Sequence, residues 1–496
     1  MVTRGGRRLR APRRRSQKRL FLPPRKFLRL ALAAAMVTLV PGAFARSRPS
    51  PLSVPSATDL LDGLFAGMRL FWGDVHAHTA FSDGFGTPRQ LYEHARGQRH
   101  LDFCAETDHA EWINYFQSRL QMTDGSPLPL WANIVAEADA QYVPGAFVTF
   151  AGFEYTNDDF GHRNVIFRST ADLPAVLPSA YTHPTPEDLF AALEPYEAIT
   201  IAHHPTRWGH RMDWSRVDPR TDRLTEIYSK WGNGASVWTP YELPTKYRQY
   251  PFLRRRAAES GVDAMLATGH RIGIIAGSDS HQGMPGSTSV DRPLGIPLPA
   301  DQYPKTGEAF LQAVEQGYRY DLREPSGGGG GLAAVWATDL TREVIWDALY
   351  ARRTFGTTGI RPVVKFGARD SAALATGTTM GGELVVTGSP VLYASASPGA
   401  GSGVTELMIL KNNEVLFAAR NPLPGEAVSV QDDQLGIGET AVYTVLILLR
   451  QGFGTNADGD TILTYSKAWH RFFLSPTPRL DEQVWTSPVW VTHAAP

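Results

Sequence analysis

The chain has 496 residues, 43% of them hydrophobic and 10% aromatic, the composition of an ordinary globular protein long enough for a large domain plus a second one. Its 49 basic and 49 acidic residues cancel, yet 12 of the basic ones lie in the first 45 positions, where no acid occurs, so the remainder carries 37 basic against 49 acidic residues. An acidic body of that kind argues against nonspecific nucleic-acid binding, which is driven by neutralising phosphates, and no nucleic-acid partner is expected.

The basic excess belongs to a leader. Arg4 to Arg29 form a long positive segment, Leu30 to Val40 a short apolar one, and Ala43-Phe44-Ala45 fits a small-residue cleavage site. Residues 1–45 therefore read as a cleavable signal peptide and the protein as exported, periplasmic or extracellular. The apolar segment is too short to span a bilayer, so no stable membrane span is expected in the mature protein. Residues 46–68 read as a linker, rich in Ser and Pro as far as about Pro55.

FWGDVHAHTAFSDG, residues 71–84, packs Asp74, His76, His78 and Asp83 behind an apolar run. Residues two apart share one face of a strand, so Asp74, His76 and His78 would aim at one point. Thr87-Pro88-Arg89-Gln90 then starts a helix, with Thr as N-cap, Pro at the first helical position and Gln closing a capping box. LDFCAETDH is a strand ending in Thr107-Asp108-His109. Cys104, inside it and alone in the chain, reads as a buried structural thiol, which leaves no intrachain disulfide and no thiolate zinc site.

The pattern recurs. AFVTFAGFE ends at Glu154, and His162 precedes the strand RNVIF. A helix from Thr185-Pro186 leads into AITIAHHP, which ends at His203-His204. LTEIYS is a short strand, residues 252 to 268 read as helical, and IGIIAGSDSH closes on Asp279 and His281. LAAVWA, a helix at about 341 to 353 and RPVVKF follow. Alternating apolar strands and amphipathic helices predict parallel βαβ units, with the His, Asp and Glu clusters at strand C-termini, which a β/α barrel gathers at one mouth. Gly327 to Gly331 reads as a loop and lacks the Lys-Ser/Thr ending of a phosphate-binding P-loop. From about Gly367 onward short strands alternate with Gly, Pro, Asn and Asp, which predicts a C-terminal β-sandwich with a hairpin turn at Lys411-Asn412-Asn413-Glu414. Only His470 and His493 lie in it, and the Asn456 to Asp460 loop reads as a polar turn.

Collected, the candidate ligands resemble the PHP (polymerase and histidinol phosphatase) superfamily. The matching motifs are His76-Ala77-His78 with Ser82-Asp83-Gly84, Thr107-Asp108-His109, Ala202-His203, and Asp279-Ser280-His281. FWGDVHAHT, GHRNVIF, GGLAAVWATDLTREVIWDAL, RRTFGTTG and WTSPVWV further look like DUF3604, a bacterial family of PHP-like proteins. The resemblance implies an α/β fold: a distorted seven-stranded PHP-type barrel over residues 69–366, followed by the all-β sandwich-like domain of residues 367–496. It also implies two or three divalent metal ions. One site would use His76, His78, Glu154 and Asp279. A second would use the bridging Glu154 with His162 and His203, which His204 could replace, and a third Asp83, His109 and His281. Imidazole and carboxylate without thiolate suit zinc, manganese or ferrous iron.

His109, His204 and Arg207 are the candidate catalytic side chains. Arg163, His210 and Arg353 are further candidates for holding phosphate oxygens, while Asp74, Glu106 and Asp108 would support the ligands. Such a site implies a metal-dependent hydrolase, best a phosphoesterase using a metal-bridging hydroxide on a small-molecule or polymer-derived substrate. The alternatives are amidohydrolase-like cleavage of an amide or ester, and a non-catalytic binding protein stabilised by metals.

Overall fold

The computed structural model describes residues 55–207, 211–235, 259–287, 296–297, 303–319, 330–399, 403–450 and 481–495. The leader, the first part of the expected linker, His210, residues 252–258, Gly327 to Gly329, the Asn456 to Asp460 loop and His470 lie outside them.

Helix α1 (Ala57–Leu64) falls within the stretch read as a linker. Ser56 and Asp59 cap it reciprocally, and Leu61 is fully buried. Strand β1 (Arg69–Asp74) follows, then α2 (Pro88–Gly97), where Thr87 Oγ1 accepts from Gln90 N and the Gln90 side chain accepts from Thr87 N. Next come β2 (Phe103–Ala105), α3 (Ala110–Arg119), α4 (Leu130–Ala140), β3 (Val148–Phe150), β4 (Gly152–Tyr155), β5 (Arg163–Phe167), α5 (Pro186–Leu193), β6 (Ala198–Ala202) and β7 (Asp222–Glu226). A small hairpin, β8 (Tyr228–Ser229) and β9 (Gly232–Asn233), precedes α6 (Val262–Ala267) and β10 (Gly273–Ile275). Strands β11 (Ile296–Pro297) and β12 (Tyr318–Arg319) flank α7 (Gly307–Glu315). Strand β13 (Leu332–Ala337), α8 (Arg342–Tyr350) and β14 (Thr354–Thr357) complete this part.

These strands form two sheets and not a closed ladder. One runs β14-β13-β1-β2-β3, with β1, β2 and β3 parallel and β13 antiparallel to its neighbours. The other runs β10-β7-β6-β5-β4, parallel from β10 to β6 but antiparallel across β5. The expected closed seven-stranded barrel is therefore not found, and the physical reason lies at both seams. At Ala151 the chain leaves one sheet and enters the other. At the opposite seam side chains occupy the edge of β10: Ile274 N donates to Ser487 Oγ, and Ile274 O accepts from Thr354 Oγ1, both at 2.8 Å. Those backbone groups are thereby satisfied without a neighbouring strand. The two sheets nevertheless share one core, with Phe71, Phe103 and Phe150 from the first meeting Ile166, Ile201, Leu224 and Ile275 from the second.

The rest of the described chain is β-strand: β15 (Val363–Asp370), β16 (Ala373–Thr379), β17 (Glu383–Val386), β18 (Pro390–Ser397), β19 (Gly403–Lys411), β20 (Glu414–Arg420), β21 (Val428–Gln431), β22 (Thr440–Arg450), β23 (Asp481–Thr486) and β24 (Val489–His493). Strands β16-β15-β18-β21 make a four-stranded sheet, while β23 pairs with β14 and carries the first sheet onward through β22, β24 and β17. Phe366 and Leu392 from the one layer and Leu407, Ile409 and Val445 from the other fall in a single apolar cluster, which Leu61 and Phe65 join. Helix α1 is tied down by Arg369, whose guanidinium donates to Leu60 O. The β19–β20 turn holds Asn412 and Asn413 at φ 50° and 68°, the left-handed pair of a two-residue hairpin. Among the described residues no helix is long and apolar enough to cross a membrane.

Candidate metal centre

The site is built where the two sheets meet. Past the end of β1, His78 N donates to Ser280 O and Asp279 N donates to His76 O, both at 2.8 Å, so the first motif is laced to the loop after β10. Glu154, on β4, is held by Glu154 N donating to Asp108 O at 3.0 Å, which brings His109 alongside. His162 enters β5, and His203 and His204 leave β6. Two of these residues adopt left-handed backbone: His204 at φ 32° and Asp279 at φ 53°. Such strain in a non-glycine residue persists only when its surroundings enforce it, and it concentrates at functional sites. Gly330 packs under the same loop, since a Cβ there would lie 2.5 Å from Ser278 Cα.

Nine candidate ligands come together. His76 Nε2 and His78 Nε2 each lie 3.4 Å from Glu154 Oε2 and 3.5 Å from Asp279 Oδ1. The other oxygen of the same carboxylate, Glu154 Oε1, lies 2.8 Å from His162 Nδ1, 3.4 Å from His203 Nε2 and 3.3 Å from His109 Nδ1. Asp83 receives His109 Nε2 at 3.3 Å and His281 Nε2 at 3.2 Å. Three sets of nitrogen and oxygen atoms close enough to hold one ion each result: His76, His78 and Glu154; His162, His203 and His204; and His78, Asp83, His109 and His281.

The donor chemistry fits divalent cations. His76 Nε2, His78 Nε2, His203 Nε2 and Asp279 Oδ1 are buried and make no hydrogen bond. Unsatisfied buried polar atoms are costly, and four converging ones mark a place for a charge that hydrogen bonding does not supply. The electrostatics agree. Burial opposes ionisation of Glu154, Asp279 and Asp83, yet the facing histidines hold all three well below the carboxylate range. Burial likewise opposes charge on His76, which Asp279, Glu226 and Glu154 raise well above its usual value, while burial and the charge on His76 push His203 down to about 3. Cations entering such a cluster replace protons, since ligands bind deprotonated.

The supporting groups differ in part from expectation. Asp74 braces the loops by accepting from His76 N, Ser278 N and Gly286 N. Asp108 orients Thr79 and Ser82 rather than a histidine, and Glu106 accepts from Asp108 N. The carboxylate that backs a candidate ligand histidine is Glu226, whose Oε2 lies 2.8 Å from His76 Nδ1. Sequence reading passed over it because LTEIYS carries a single acid with no histidine beside it. Lys230, 2.7 Å from His281 Nδ1, gave no signal either, since an ammonium is not a metal ligand and its partner lies 51 positions away. The Arg207 guanidinium carbon lies over the Trp231 ring, 3.6 Å from its centroid; burial pulls its pKa down, against the pull of the Asp279 and Glu154 carboxylates. Arg163 and Arg353 are committed elsewhere: Arg163 pairs with Asp222 at 3.1 Å, and Arg353 Nε donates to Trp336 O.

Comparison with known proteins gives a family. An uncharacterized protein of Chlamydia pneumoniae is 21% identical over 435 residues, which are 85% of this chain and 57% of that relative's length. The crystal structure of a two-domain protein of Bacteroides vulgatus, described as containing a predicted PHP-like metal-dependent phosphoesterase, is 16% identical and covers 85% of this chain and 98% of its own, at a TM-score of 0.35. PsfC of Pseudomonas syringae is likewise 16% identical, with 50% of this chain and 90% of its own covered, at a TM-score of 0.25. The model of the family described as protein of unknown function DUF3604 matches residues 118–207 and 220–399, more than half of the sequence, and the chain belongs to that family.

Proposed function

We propose that the chain is a metal-dependent hydrolase of the PHP kind that cleaves phosphate esters. The observation that carries this reading is the division of Glu154, one oxygen facing His76 and His78 and the other facing His162, His203 and His109. Divalent ions held by the residues around Glu154 would supply Lewis-acid polarisation of an ester and a water of lowered pKa. The residues supply the rest. Arg207, over the Trp231 ring, offers a fork of N–H donors that matches the oxygens of a phosphate. His204, whose imidazole burial and its neighbouring histidines keep neutral, is a proton acceptor beside His203, ring centroids 4.4 Å apart. His109 reaches both Glu154 and Asp83 and is the candidate to move a proton between the two ends of the cluster. Export through a cleaved leader is part of the reading, and N-terminal sequencing of the mature protein tests it.

Turnover assays of the metal-reconstituted protein on phosphomonoesters, phosphodiesters, carboxylic esters and amides test the chemistry. Metal-dependent release of phosphate or of an alcohol from a phosphoester is expected. Cleavage of amides or carboxylic esters alone would replace phosphorus with carbon as the centre attacked, and no turnover by a fully metallated protein would leave a binding protein.

A further inference from the structure

The two ends of the centre are supported in opposite ways. At one end Glu226 Oε2 and His76 Nδ1 meet at 2.8 Å, both fully buried. A carboxylate accepts, so Nδ1 of His76 keeps its proton toward Glu226, and Nε2, which faces Glu154 and Asp279, is the nitrogen that would give up its proton to a cation. The fold makes room for this contact: a Cβ at Gly277 would lie 2.6 Å from Glu226 Oε2 and 2.9 Å from His76 Cβ.

At the other end Lys230 Nζ, on the β8–β9 hairpin and only 2% exposed as a residue, lies 2.7 Å from His281 Nδ1. An ammonium has donors and no acceptor, so this Nδ1 accepts and the ring proton moves to Nε2, where it points at Asp83 Oδ2, 3.2 Å away. A ring protonated on Nε2 cannot ligate through that atom. The Asp279 carbonyl, 3.1 Å from the same Nδ1, and Asp279 Oδ1, 3.3 Å from it, supply the alternative: with Lys230 withdrawn, Nδ1–H donates there and Nε2 is freed.

We propose that the metal centre is graded: the position at His76, His78, Glu154 and Asp279 keeps its ion, while the position at Asp83, His109 and His281 exchanges its ion under the control of Lys230. This rests on the metal-centre reading above and adds an order of loading to it.

Equilibrium dialysis of the full-length metal-free protein against Mn²⁺, with bound metal counted by elemental analysis, tests the grading in wild type, Glu226→Gln, Lys230→Met and Lys230→Arg. Wild type is expected to show a tight and a weak class. Glu226→Gln should weaken the tight class by about 10- to 100-fold, the usual effect of losing a partner behind a ligand. Lys230→Met should tighten the weak class by about tenfold, and Lys230→Arg, which keeps a cationic donor, should leave it weak. If Glu226→Gln does not fold, as judged by its melting curve, Gly277→Ala disturbs the same contact. A single affinity class in wild type, or a weak class that Lys230→Met leaves unchanged or weakens, overturns the grading while the hydrolase reading stands. Wild type that binds no Mn²⁺ overturns both.

Discussion

Gly277→Ala puts one methyl group between Glu226 and His76. Gly277 is not among the residues with left-handed backbone, so the methyl itself is the perturbation. It would meet Glu226 Oε2 at 2.6 Å, His76 Cβ at 2.9 Å and Asp74 Oδ1 at 3.4 Å, and all three side chains are buried with no open solvent to retreat into. Overpacking of this kind costs about 1–3 kcal/mol, a factor of roughly 5 to 150 in the folding equilibrium. Glu226 must shift, and its hydrogen bond to His76 goes with it. Metal affinity should then fall by about 10- to 100-fold, or ~1.4–2.7 kcal/mol. Urea unfolding with and without saturating Mn²⁺ separates the two effects, because bound metal stabilises the native state in proportion to the logarithm of its affinity. The metal-free variant should lose about 1–3 kcal/mol, and its gain on adding metal should be smaller than that of wild type by a further ~1.4–2.7 kcal/mol. A metal-free stability within ~0.5 kcal/mol of wild type, together with an undiminished gain, would refute the claim that Glu226 is confined against His76.

Other parts of the molecule give independent tests. Glu154→Gln should empty both positions that share its oxygens, whereas His203→Ala should weaken one; equal losses by elemental analysis would contradict the shared use of Glu154. Asp432 in the C-terminal layer is buried, yet Lys411 Nζ at 2.6 Å, Tyr443 Oη and Gln434 N hold its carboxyl below the usual range. A depressed folded-state pKa adds stability above the unfolded value of about 3.9 and loses it as pH falls through the folded one. Asp432→Asn should therefore cost about 2–3 kcal/mol at pH 7 in chemical unfolding, with the gap to wild type narrowing below about pH 4; a gap independent of pH would rule out the charge. Leu61→Ala on α1 should destabilise by about 2–5 kcal/mol if the helix is part of the core, and a change within ~0.5 kcal/mol would return that stretch to a tether.

Local rules made some of this legible in the chain. Thr87, Pro88 and Gln90 announce the start of α2 because a helix N-terminus is satisfied by its own first turn. Asn412-Asn413 marks a hairpin because only a few residues tolerate its backbone, and LAAVWA is a strand because all six positions are buried. The histidines were visible as a set because metal-ligand chemistry restricts residue type. What local patterns could not carry was pairing across distance. Glu226 lies 150 positions from His76, and nothing around it signals that it will sit behind that ring. The split into two sheets turns on Ser487 and Thr354 capping the edge of β10, residues 213 and 80 positions from the Ile274 they contact. Apolar strands buried on both faces look the same whether they pair parallel or antiparallel, so β4, β5 and β6 gave no warning of their alternation.

The central claim is that this cluster is a metal centre, and elemental analysis of the purified mature protein addresses it most directly. Two or three divalent ions per chain are expected in wild type after reconstitution, and fewer in His78→Ala and in Asp279→Ala. A folded wild-type protein that takes up no divalent metal, or variants that retain the full complement, would contradict it.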